Sequence, residues 1–532
     1  MRKYMICQQK WRISMKRIWK RIGAAVLAGA MLFSGAYAGM VKLADNTKTA
    51  KAAAAEGTVV VPEGTNVPKY VFLFIGDGMS YPQIQLASDY LGALAQEDSN
   101  KSSAILEGNE YLNFMNFEAA GSAVTYDSTS FCPDSASTAT SLSTGYKTYS
   151  GTINMDETKT ISYETITEKV KDQLGYKVGI VTTVNLNHAT PAAFYAKVAS
   201  RSQYYDISLQ MIESDFDYFA GGALLQPEGK NGDQKNIYEV AEEAGYQVID
   251  NQYDAKRLTS EDGKTIVIGQ FLADSDSLDY DLDRASNVWS LADYVAKGIE
   301  VLDNETGFFM MVEGGKIDWA CHANDAGSTI SDTLALADAV EEAIEFYNEH
   351  PDETLIIVTG DHETGGLTIG YAGTNYDTFL TNLENQKISY AKYDSEYVAK
   401  YKANNTPFET VLKDIKKLFG LMTADDADAQ KDSKLVLTDY EVSLLREAYN
   451  KTMGYVKKES TQKEYVMYGT YEPLSVTITH ILNNKSGVNF SSYSHTGLPV
   501  AVLAQGEGAE LFDGYYDNTE IYDNLAALLK VE

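Results

Sequence analysis

Short, continuous apolar runs that end in glycine and acidic residues recur along this chain. Three of them are Tyr70 to Ile75, Phe308 to Val312 and Thr354 to Thr359. Runs of this length and composition are typical of strands buried on both faces of a parallel sheet. An acidic residue follows each run within two positions, at Asp77, Glu313 and Asp361. Because open α/β sheets place their ligands outside the carboxyl ends of strands, these three acids are candidate functional residues.

Further patterns predict more strands and the helices between them. Strands are predicted at Lys177 to Val184, Phe219 to Ala223, Thr265 to Phe271 and Val500 to Ala504. Apolar residues at helical spacing predict a packing helix over Thr329 to Phe346 and a last helix around Ile521 to Leu529. A shorter helix is predicted to begin after Asp134 and to end at Gly145, with Ser135 in its first turn. Backbone N–H groups in that turn favour a bound phosphate, and the alternative is that Ser135 is an ordinary helix cap.

The stretch from Glu313 to His322 leads from a strand into a helix that carries candidate metal ligands. Asp318 and His322 are four residues apart, so a carboxylate oxygen and an imidazole nitrogen project from one helix face toward one point. Two such ligands are half of a zinc site, and Glu313 is a hard oxygen donor suited to magnesium. The alternative is that Asp318 and His322 merely share a solvated helix face.

Composition divides the chain into segments. Residues 1–38 contain eight Lys or Arg and no acid, and they include the apolar run Ile22 to Phe33 and end in Ala36-Tyr37-Ala38. This order predicts a cleaved signal peptide, with an uncleaved membrane anchor as the alternative. Residues 39–68 are predicted to be a linker and residues 69–532 the folded unit. Within that unit, residues 371–480 are rich in Tyr, Lys, Asp and Asn and are predicted to be an insertion near the rim of the site.

Charge and cysteine content narrow the classes of function. The chain has 532 residues, enough for a large core, and a formal net charge of −31. So acidic a surface argues against binding to nucleic acid or to anionic membranes. Of the three cysteines, Cys7 lies in the signal segment, and the sequence does not decide whether Cys132 and Cys321 pair.

The histidines are concentrated near the same motifs. The chain contains six histidines, and four of them lie beside acidic residues or predicted strand ends: His188, His322, His362 and His495. Such clustering is what a metal site requires. The remaining two, His350 and His480, are assigned to the surface.

Six motifs together resemble the alkaline phosphatase family. They are IGDGM around Asp77, PDSASTATS around Ser135, HATPAAFYAKVASR from His188 to Arg201, VEGGKIDWACH from Val312, TGDHETGG around Asp361 and SHTG around His495, all in the family's order. The resemblance extends from about Lys69 to the C-terminus, apart from residues 371–480. It implies an α/β fold of the alkaline-phosphatase type, a three-layer α/β/α sandwich with a mostly parallel central sheet and a crown-like insertion.

The resemblance also implies three metal ions and the residues that bind them. One zinc ion would be bound by Asp318, His322 and His495, a second by Asp77, Asp361 and His362, and a magnesium ion by Asp77, Thr190 and Glu313. Ser135 matches the family's nucleophile, and Arg201 matches its phosphate-binding arginine. His188 stands where some members have Asp, and Trp319 where some have Lys or His, so the identity and affinity of the third metal stay open.

These implications describe an exported enzyme, extracellular, periplasmic or in the cell envelope, that hydrolyses small phosphate monoesters through a phosphoserine. By resemblance we expect a homodimer, and no stable membrane partner once the signal is cleaved. Two divalent metals about 4 Å apart can bind the attacking and leaving oxygens of an in-line displacement, and coordination activates an otherwise poor serine nucleophile. A phosphodiesterase or phosphonate hydrolase on the same fold is the nearest alternative. A surface binding protein with structural metals is an alternative of another class, suggested by the 37 tyrosines.

Overall fold

A ten-stranded sheet organises the fold, as seen in a computed structural model that describes residues 59–96, 99–102 and 105–532. The strands of these residues are β1 (Tyr70–Gly76), β2 (Ala119–Val124), β3 (Lys177–Asn185), β4 (Tyr218–Gly222), β5 (Gln247–Ile249), β6 (Thr265–Ile268), β7 (Phe308–Gly314), β8 (Thr354–Gly360), β9 (Glu363–Thr364), β10 (Leu367–Ile369), β11 (Val488–Phe490), β12 (His495–Thr496), β13 (Val500–Gly506) and β14 (Gly514–Asp517). The order across the sheet is β14-β2-β13-β8-β1-β7-β3-β4-β6-β5. Strand β13 runs antiparallel to both of its neighbours, and every other neighbouring pair in this order is parallel. The expected mostly parallel sheet is therefore confirmed.

The helices connect these strands, and short 3-10 and π turns extend or link several of them. They are α1 (Tyr81–Leu94), α2 (Ser135–Thr144), α3 (Ile166–Lys169), α4 (Ala189–Ala192), α5 (Tyr204–Glu213), α6 (Ile237–Glu243), α7 (Gln252–Ala255), α8 (Leu291–Leu302), α9 (Lys316–His322), α10 (Ala326–Glu349), α11 (Tyr390–Lys392), α12 (Ala399–Asn404), α13 (Phe408–Phe419), α14 (Asp439–Thr452), α15 (Gln462–Tyr468), α16 (Pro473–Ser486) and α17 (Thr519–Leu529). The predicted packing helix is longer than expected, because Asp325 caps it three residues earlier by accepting a hydrogen bond from the Ser328 N–H.

The sheet separates two hydrophobic cores. Phe72 and Phe74 of β1 pack in one core with residues of α8 and α10, whereas Val71, Leu73 and Ile75 pack in the other with residues of α2, α5 and α17. Successive side chains of a strand point to opposite faces, so a fully apolar strand such as β1 needs a helical layer on each side. The expected three-layer α/β/α sandwich is confirmed.

The segment 371–480 packs against the core on the α10 side of the sheet. Tyr393 and Ile415 of this segment belong to the same buried cluster as Phe74. The buried carboxylate of Asp325 accepts hydrogen bonds from Gln386 Nε2 at 2.7 Å and from the Tyr390 N–H at 2.9 Å. Helix α16 runs across residue 480, where the predicted insertion ends. This segment is therefore joined to the start of α10 through one buried acid.

The predicted signal peptide, residues 1–38, and most of the predicted linker lie outside the described residues. Residues 61–532 form one compact unit. No helix among the described residues is both long enough and apolar enough to cross a bilayer. Cys132 is exposed and Cys321 is buried, and both are free thiols.

Asp394, in segment 371–480, is expected to make the free energy of unfolding depend on pH. Burial raises the pKa of Asp394 from its ordinary 3.8 to about 7, although a hydrogen bond from Ser475 opposes the shift. Because the folded pKa lies above the unfolded one, ionisation of Asp394 destabilises the fold as the pH rises from about 4 to about 7. We expect Asp394→Asn to raise the free energy of unfolding by up to about 4 kcal/mol at pH 9, and by less at pH 5.

Thermal melts of the wild type and of Asp394→Asn at pH 5 and pH 9 test this expectation. The exposed Asp425, in the same segment, supplies the matched control Asp425→Asn, which should leave both melts unchanged. An equal effect of Asp394→Asn at the two pH values would contradict the assignment of this pH dependence to a buried ionised carboxyl.

Candidate active site

The carboxyl ends of three adjacent strands bring the predicted acids together. In the sheet, Gly76 of β1 is paired with Gly314 of β7 on one side and with Gly360 of β8 on the other. The three strands therefore end at the same position along the sheet, and Asp77, Glu313 and Asp361 lie together at its carboxyl edge. The turn after Asp77 needs glycine, because Gly78 has a φ of 73° and a Cβ there would lie 2.9 Å from Asp318 Cα.

One candidate metal site is formed by Asp318, His322 and His495. Nε2 of His322 lies 3.3 Å from Asp318 Oδ2 and 3.1 Å from His495 Nε2, and His495 Nε2 lies 3.6 Å from Asp318 Oδ1. Three potential ligand atoms thus lie within 4.8 Å of one another. Helix α9 supplies Asp318 and His322, and β12 supplies His495 by pairing with β9, which follows β8.

A second candidate site is formed by Asp77, Asp361 and His362. His362 Nε2 lies 3.4 Å from Asp77 Oδ1 and 3.4 Å from Asp361 Oδ2. All three residues are buried. The two sites adjoin, because the rings of His362 and His495 stack with their centroids 3.6 Å apart. A pair of neighbouring sites is the arrangement that two-metal hydrolases use.

The residues expected to bind magnesium lie beside the second site. Thr190 Oγ1 donates a hydrogen bond to Asp77 Oδ2 at 3.4 Å, and Thr182 on β3 donates one to Glu313 Oε2. Burial raises the pKa of Glu313 to about 7, although the hydrogen bond from Thr182 opposes the shift. Asp77, Thr190 and Glu313 offer oxygen atoms as ligands, which suits a hard cation.

The histidines are oriented as metal ligands require. The Nδ1–H of His322 donates to the Tyr493 carbonyl at 2.6 Å, and that of His495 donates to the Pro133 carbonyl at 2.5 Å. His362 Nδ1 lies 3.3 Å from Thr364 Oγ1. Each Nε2 atom therefore faces the acids, with its lone pair available once Nδ1 carries the proton.

The buried acids also fit bound cations. Burial, followed by the charges of the neighbouring acids, raises the pKa values of Asp77 and Asp361 well above their ordinary range. Oδ1 of Asp77 and Oε1 of Glu313 are buried without a hydrogen-bond partner among the described residues. Buried carboxylates without partners are costly unless a cation compensates them. The residues present are therefore suited to divalent metal ions.

Ser135 lies where the sequence predicts it, in the first turn of α2. Its Oγ lies 3.1 Å from His362 Nε2. Asp134 caps the helix by accepting from the Ser137 N–H, and it also accepts a hydrogen bond from Arg201 Nη1 at 3.0 Å. Burial opposes ionisation of Asp134, but the charge of Arg201 and the hydrogen bonds from Gly151 and Ser137 together outweigh burial and lower the pKa of Asp134 to about 2. One ionised carboxylate thus positions both the Ser135 helix and the Arg201 guanidinium.

His188 and Trp319 lie next to this group. His188 Nε2 is 3.4 Å from Arg201 Nη2, and burial lowers the pKa of His188 to about 3, with a further contribution from Arg201. The ring of Trp319 meets that of His188 edge-on, at a centroid distance of 6.0 Å. A neutral imidazole here accepts a hydrogen bond from Arg201 and adds no charge to the site.

Glu363 lies behind the candidate sites, and no role is predicted for it from the sequence. Its buried carboxylate accepts hydrogen bonds from Gln83 Nε2 at 2.8 Å, from the N–H groups of Gly366 and Leu367 at 3.1 Å, and from Thr496 Oγ1. It follows His362 in the chain, and Thr496 follows His495. Glu363 therefore connects the two candidate metal sites from behind. The sequence feature that points to a role for Glu363 is its position inside the motif TGDHETGG.

The prediction that the two remaining histidines lie at the surface is confirmed only in part, since both are half-buried and the His350 side chain remains 34% exposed. His480 is half-buried, and its Nε2 lies 3.0 Å from Asn324 Oδ1, two residues after His322. His350 is also half-buried and packs against the ring of Phe346, with centroids 4.7 Å apart. The contact of His480 joins α16 to Asn324, a distant part of the chain, and no local pattern marks it.

Comparisons with known proteins agree with this geometry. The model of the family "Alkaline phosphatase" matches residues 68–531. Alkaline phosphatase 3 of Bacillus subtilis (strain 168) is 30% identical over 472 residues, which cover 87% of this chain and 89% of that protein. The alkaline phosphatase of Escherichia coli (strain K12) is 29% identical over 338 residues, covering 55% of this chain and 70% of that protein. The crystal structure of a cold-active alkaline phosphatase from Shewanella sp. matches with a TM-score of 0.69 and 26% identity, over 86% of this chain and 99% of that one.

The family match spans most of the chain and includes all of the motifs that form the candidate site. The resemblance drawn from those motifs is thus confirmed. The chain belongs to the alkaline phosphatase family and is a phosphoric monoester hydrolase.

Proposed function

We propose that the protein is an exported alkaline phosphatase that hydrolyses small phosphate monoesters through a phosphoserine at Ser135. The observation that carries this proposal is the position of Ser135 Oγ, 3.1 Å from His362 and next to both candidate metal sites. A structural metal site has no need of a serine hydroxyl at a helix start facing it. The basic and apolar character of residues 1–38 supports export, and the acidic composition supports the absence of a nucleic-acid partner.

Two zinc ions and one magnesium ion are the proposed cofactors. Asp318, His322 and His495 would hold one zinc ion, and Asp77, Asp361 and His362 the other. Asp77, Thr190 and Glu313 would hold magnesium, since they offer oxygen atoms alone. When bound, such metal ions stabilise negative charge on the reacting oxygens and lower the pKa of a coordinated hydroxyl.

The protein side chains would carry the remaining steps. The fork of Arg201, oriented by Asp134, would bind two phosphate oxygens, and the N–H groups at the start of α2 would add further donors. Ser135 Oγ would then attack phosphorus, forming one P–O bond while the bond to the alcohol breaks. Water would cleave the resulting phosphoserine, releasing phosphate and restoring the hydroxyl. In both steps Arg201 stabilises charge on the oxygens that do not exchange.

A phosphodiesterase or phosphonate hydrolase is the second candidate, because two-metal chemistry also serves diesters. Arg201 favours monoesters, because a monoester has three terminal oxygens and can offer two of them to the guanidinium fork while the third faces the candidate metal sites. A diester has only two terminal oxygens for both roles. The binding-protein alternative explains neither Ser135 nor Arg201. The domain boundaries at residues 38, 68, 371 and 480 remain part of this proposal.

Replacement of the proposed nucleophile tests the reaction. We expect the wild type, supplied with zinc and magnesium at alkaline pH, to hydrolyse p-nitrophenyl phosphate far faster than bis(p-nitrophenyl) phosphate. Ser135→Ala should lower kcat for the monoester on the order of 10³-fold or more, because the covalent route is lost. Treatment of the wild type with a chelator should have a comparable effect.

Release of p-nitrophenol measured by absorbance decides this test, with the exposed Ser395→Ala as a control variant. Faster turnover of the diester would move the assignment to a phosphodiesterase. Full activity of Ser135→Ala would rule out the phosphoserine.

Glu363→Gln tests whether the acid behind the ligands supports metal binding. An amide offers one acceptor oxygen where the carboxylate of Glu363 receives four hydrogen bonds, so the orientation of His362 and His495 should relax. We expect zinc affinity to fall about 10- to 100-fold, measured as zinc content by mass spectrometry after dialysis against a graded chelator. The exposed Glu447→Gln is the matched control. Unchanged zinc retention would show that Glu363 serves the fold alone.

A homodimer is proposed from the resemblance, and an apolar groove supplies a candidate interface. The groove has a volume of about 590 Å³ and is lined largely by apolar residues, among them Tyr81, Ile84 and Leu498. Tyr81 and Leu498 remain 45% and 42% exposed. We expect light scattering after gel filtration to give the mass of two chains, and Leu498→Glu to shift it toward one. A single-chain mass for the wild type would refute the dimer, and Tyr515→Glu, on an exposed site of β14, is the control.

A further inference from the structure

Ser135 and Arg201 line a pocket that is also lined by aromatic side chains, here called the aromatic wall. The pocket has a volume of about 370 Å³, within the range of about 300–1,000 Å³ that small-molecule sites occupy. Trp319, Tyr390 and Tyr471 line it together with the candidate catalytic residues. Two of these rings, Tyr390 and Tyr471, belong to segment 371–480. The pocket therefore extends from the proposed phosphate site to side chains that the hydrolytic reaction does not use.

We propose that this pocket receives the leaving group of the ester, and that Trp319, Tyr390 and Tyr471 select a planar aromatic ring system, as in a nucleoside monophosphate. The inference rests on the proposed function and names its substrate class. A ring system in the leaving group stacks on aromatic side chains regardless of its hydrogen-bonding pattern. A small polyol phosphate has no such surface to offer.

The aromatic wall is ordered from behind by a buried lysine. Lys316 is fully buried, and its Nζ lies 4.5 Å from the ring centroid of Trp319 and 4.0 Å from that of Tyr280. Asp274 Oδ1 and Ser277 Oγ accept hydrogen bonds from this Nζ at 2.7 Å and 2.8 Å. The ammonium group is thus held in place by its polar partners while it contacts two rings.

The same contacts extend to the two tyrosines from segment 371–480. The Tyr280 hydroxyl donates to the Tyr390 hydroxyl at 3.3 Å, and the rings of Tyr390 and Tyr471 meet edge-on with centroids 5.6 Å apart. A chain of contacts from Lys316 through Tyr280 and Tyr390 therefore reaches Tyr471. Because the rings are ordered before a ligand binds, stacking on them costs little conformational entropy.

The polar rim of the pocket suits a nucleoside as well. Asp274 and Ser275 line the pocket beside the aromatic wall. Their carboxylate and hydroxyl groups can form hydrogen bonds with ribose hydroxyls or with a ring amine. Ser275 is held in a left-handed conformation, with φ of 55°, and its carbonyl accepts a hydrogen bond from Asn185 Nδ2 at 2.8 Å. This part of the rim is therefore built into the fold, because β3 itself fixes it.

Two esters that differ only in the base provide the test. Adenosine 5′-monophosphate and ribose 5-phosphate both release a primary alcohol at the same ribose carbon, so the bond that breaks is the same. We expect kcat/KM of the wild type to favour adenosine 5′-monophosphate about 10-fold, mostly through KM. Tyr471→Ala and Tyr390→Ala should each remove most of this preference while turnover of ribose 5-phosphate stays near that of the wild type.

Matched variants separate stacking from a general loss of structure. Tyr471→Phe keeps the ring and should keep the preference, and Tyr376→Ala, at a fully exposed position of the same segment, should change neither ester. Equal kcat/KM for the two esters in the wild type would overturn the proposal. So would a preference that survives the combined replacement of Tyr390 and Tyr471 by alanine.

A binding experiment keeps this inference distinct from the proposed function. In Ser135→Ala, calorimetric titration with the two esters should give a Kd about 10-fold lower for adenosine 5′-monophosphate. If neither ester is hydrolysed by the wild type, the proposed function fails, and the titration still decides the inference. Equal Kd values would overturn it.

Discussion

The confinement of four carboxylates at one buried place is the constraint on which this structure depends. Asp77, Glu313, Asp318 and Asp361 are all nearly inaccessible to water. In such surroundings like charges repel strongly, and neither water nor salt screens them well. The cost is tolerated because β1, β7 and β8 are anchored by apolar cores on both faces of the sheet. Cation binding would remove the repulsion, so metal binding and the stability of the fold are coupled at this edge.

The histidines connect this edge to elements outside the central strands. His495 donates its Nδ1–H to the carbonyl of Pro133, two residues before Ser135. The first candidate metal site and the helix that carries the proposed nucleophile are thereby joined through a single hydrogen bond. Glu363 makes a second connection, from β9 to Thr496 on β12. The candidate ligands His362 and His495 are thus tied to each other and to the helix of the proposed nucleophile, which is what a preorganised site needs.

The sequence predicts the catalytic edge well because the signals there are local. An apolar run such as Tyr70 to Ile75 reports burial on both faces, and the acid that follows it can only lie at the carboxyl end of the strand. The strand predicted at Thr265 to Phe271 is too long, since β6 ends at Ile268, where its pairing with Gly221 of β4 also ends. Local sequence patterns do not predict contacts between segments that are distant in the chain. From the sequence, Lys316 is an ordinary lysine at the start of a helix, yet it is fully buried and contacts the ring of Trp319. Likewise, no pattern near residue 480 predicts the contact between α16 and Asn324.

Segment 371–480 therefore does not only surround the rim of the site but also contacts the residues that support it. Its Tyr390 N–H binds Asp325, which also caps α10, and its Tyr390 ring reaches Lys316 through Tyr280. Lys316 begins α9, the short helix that supplies Asp318 and His322. The aromatic wall and the helix that supplies two candidate metal ligands are thus both anchored at Lys316. The wall is therefore held in place before a ligand binds. It must discriminate between leaving groups by its fixed shape, so recognition and catalysis share one rigid framework.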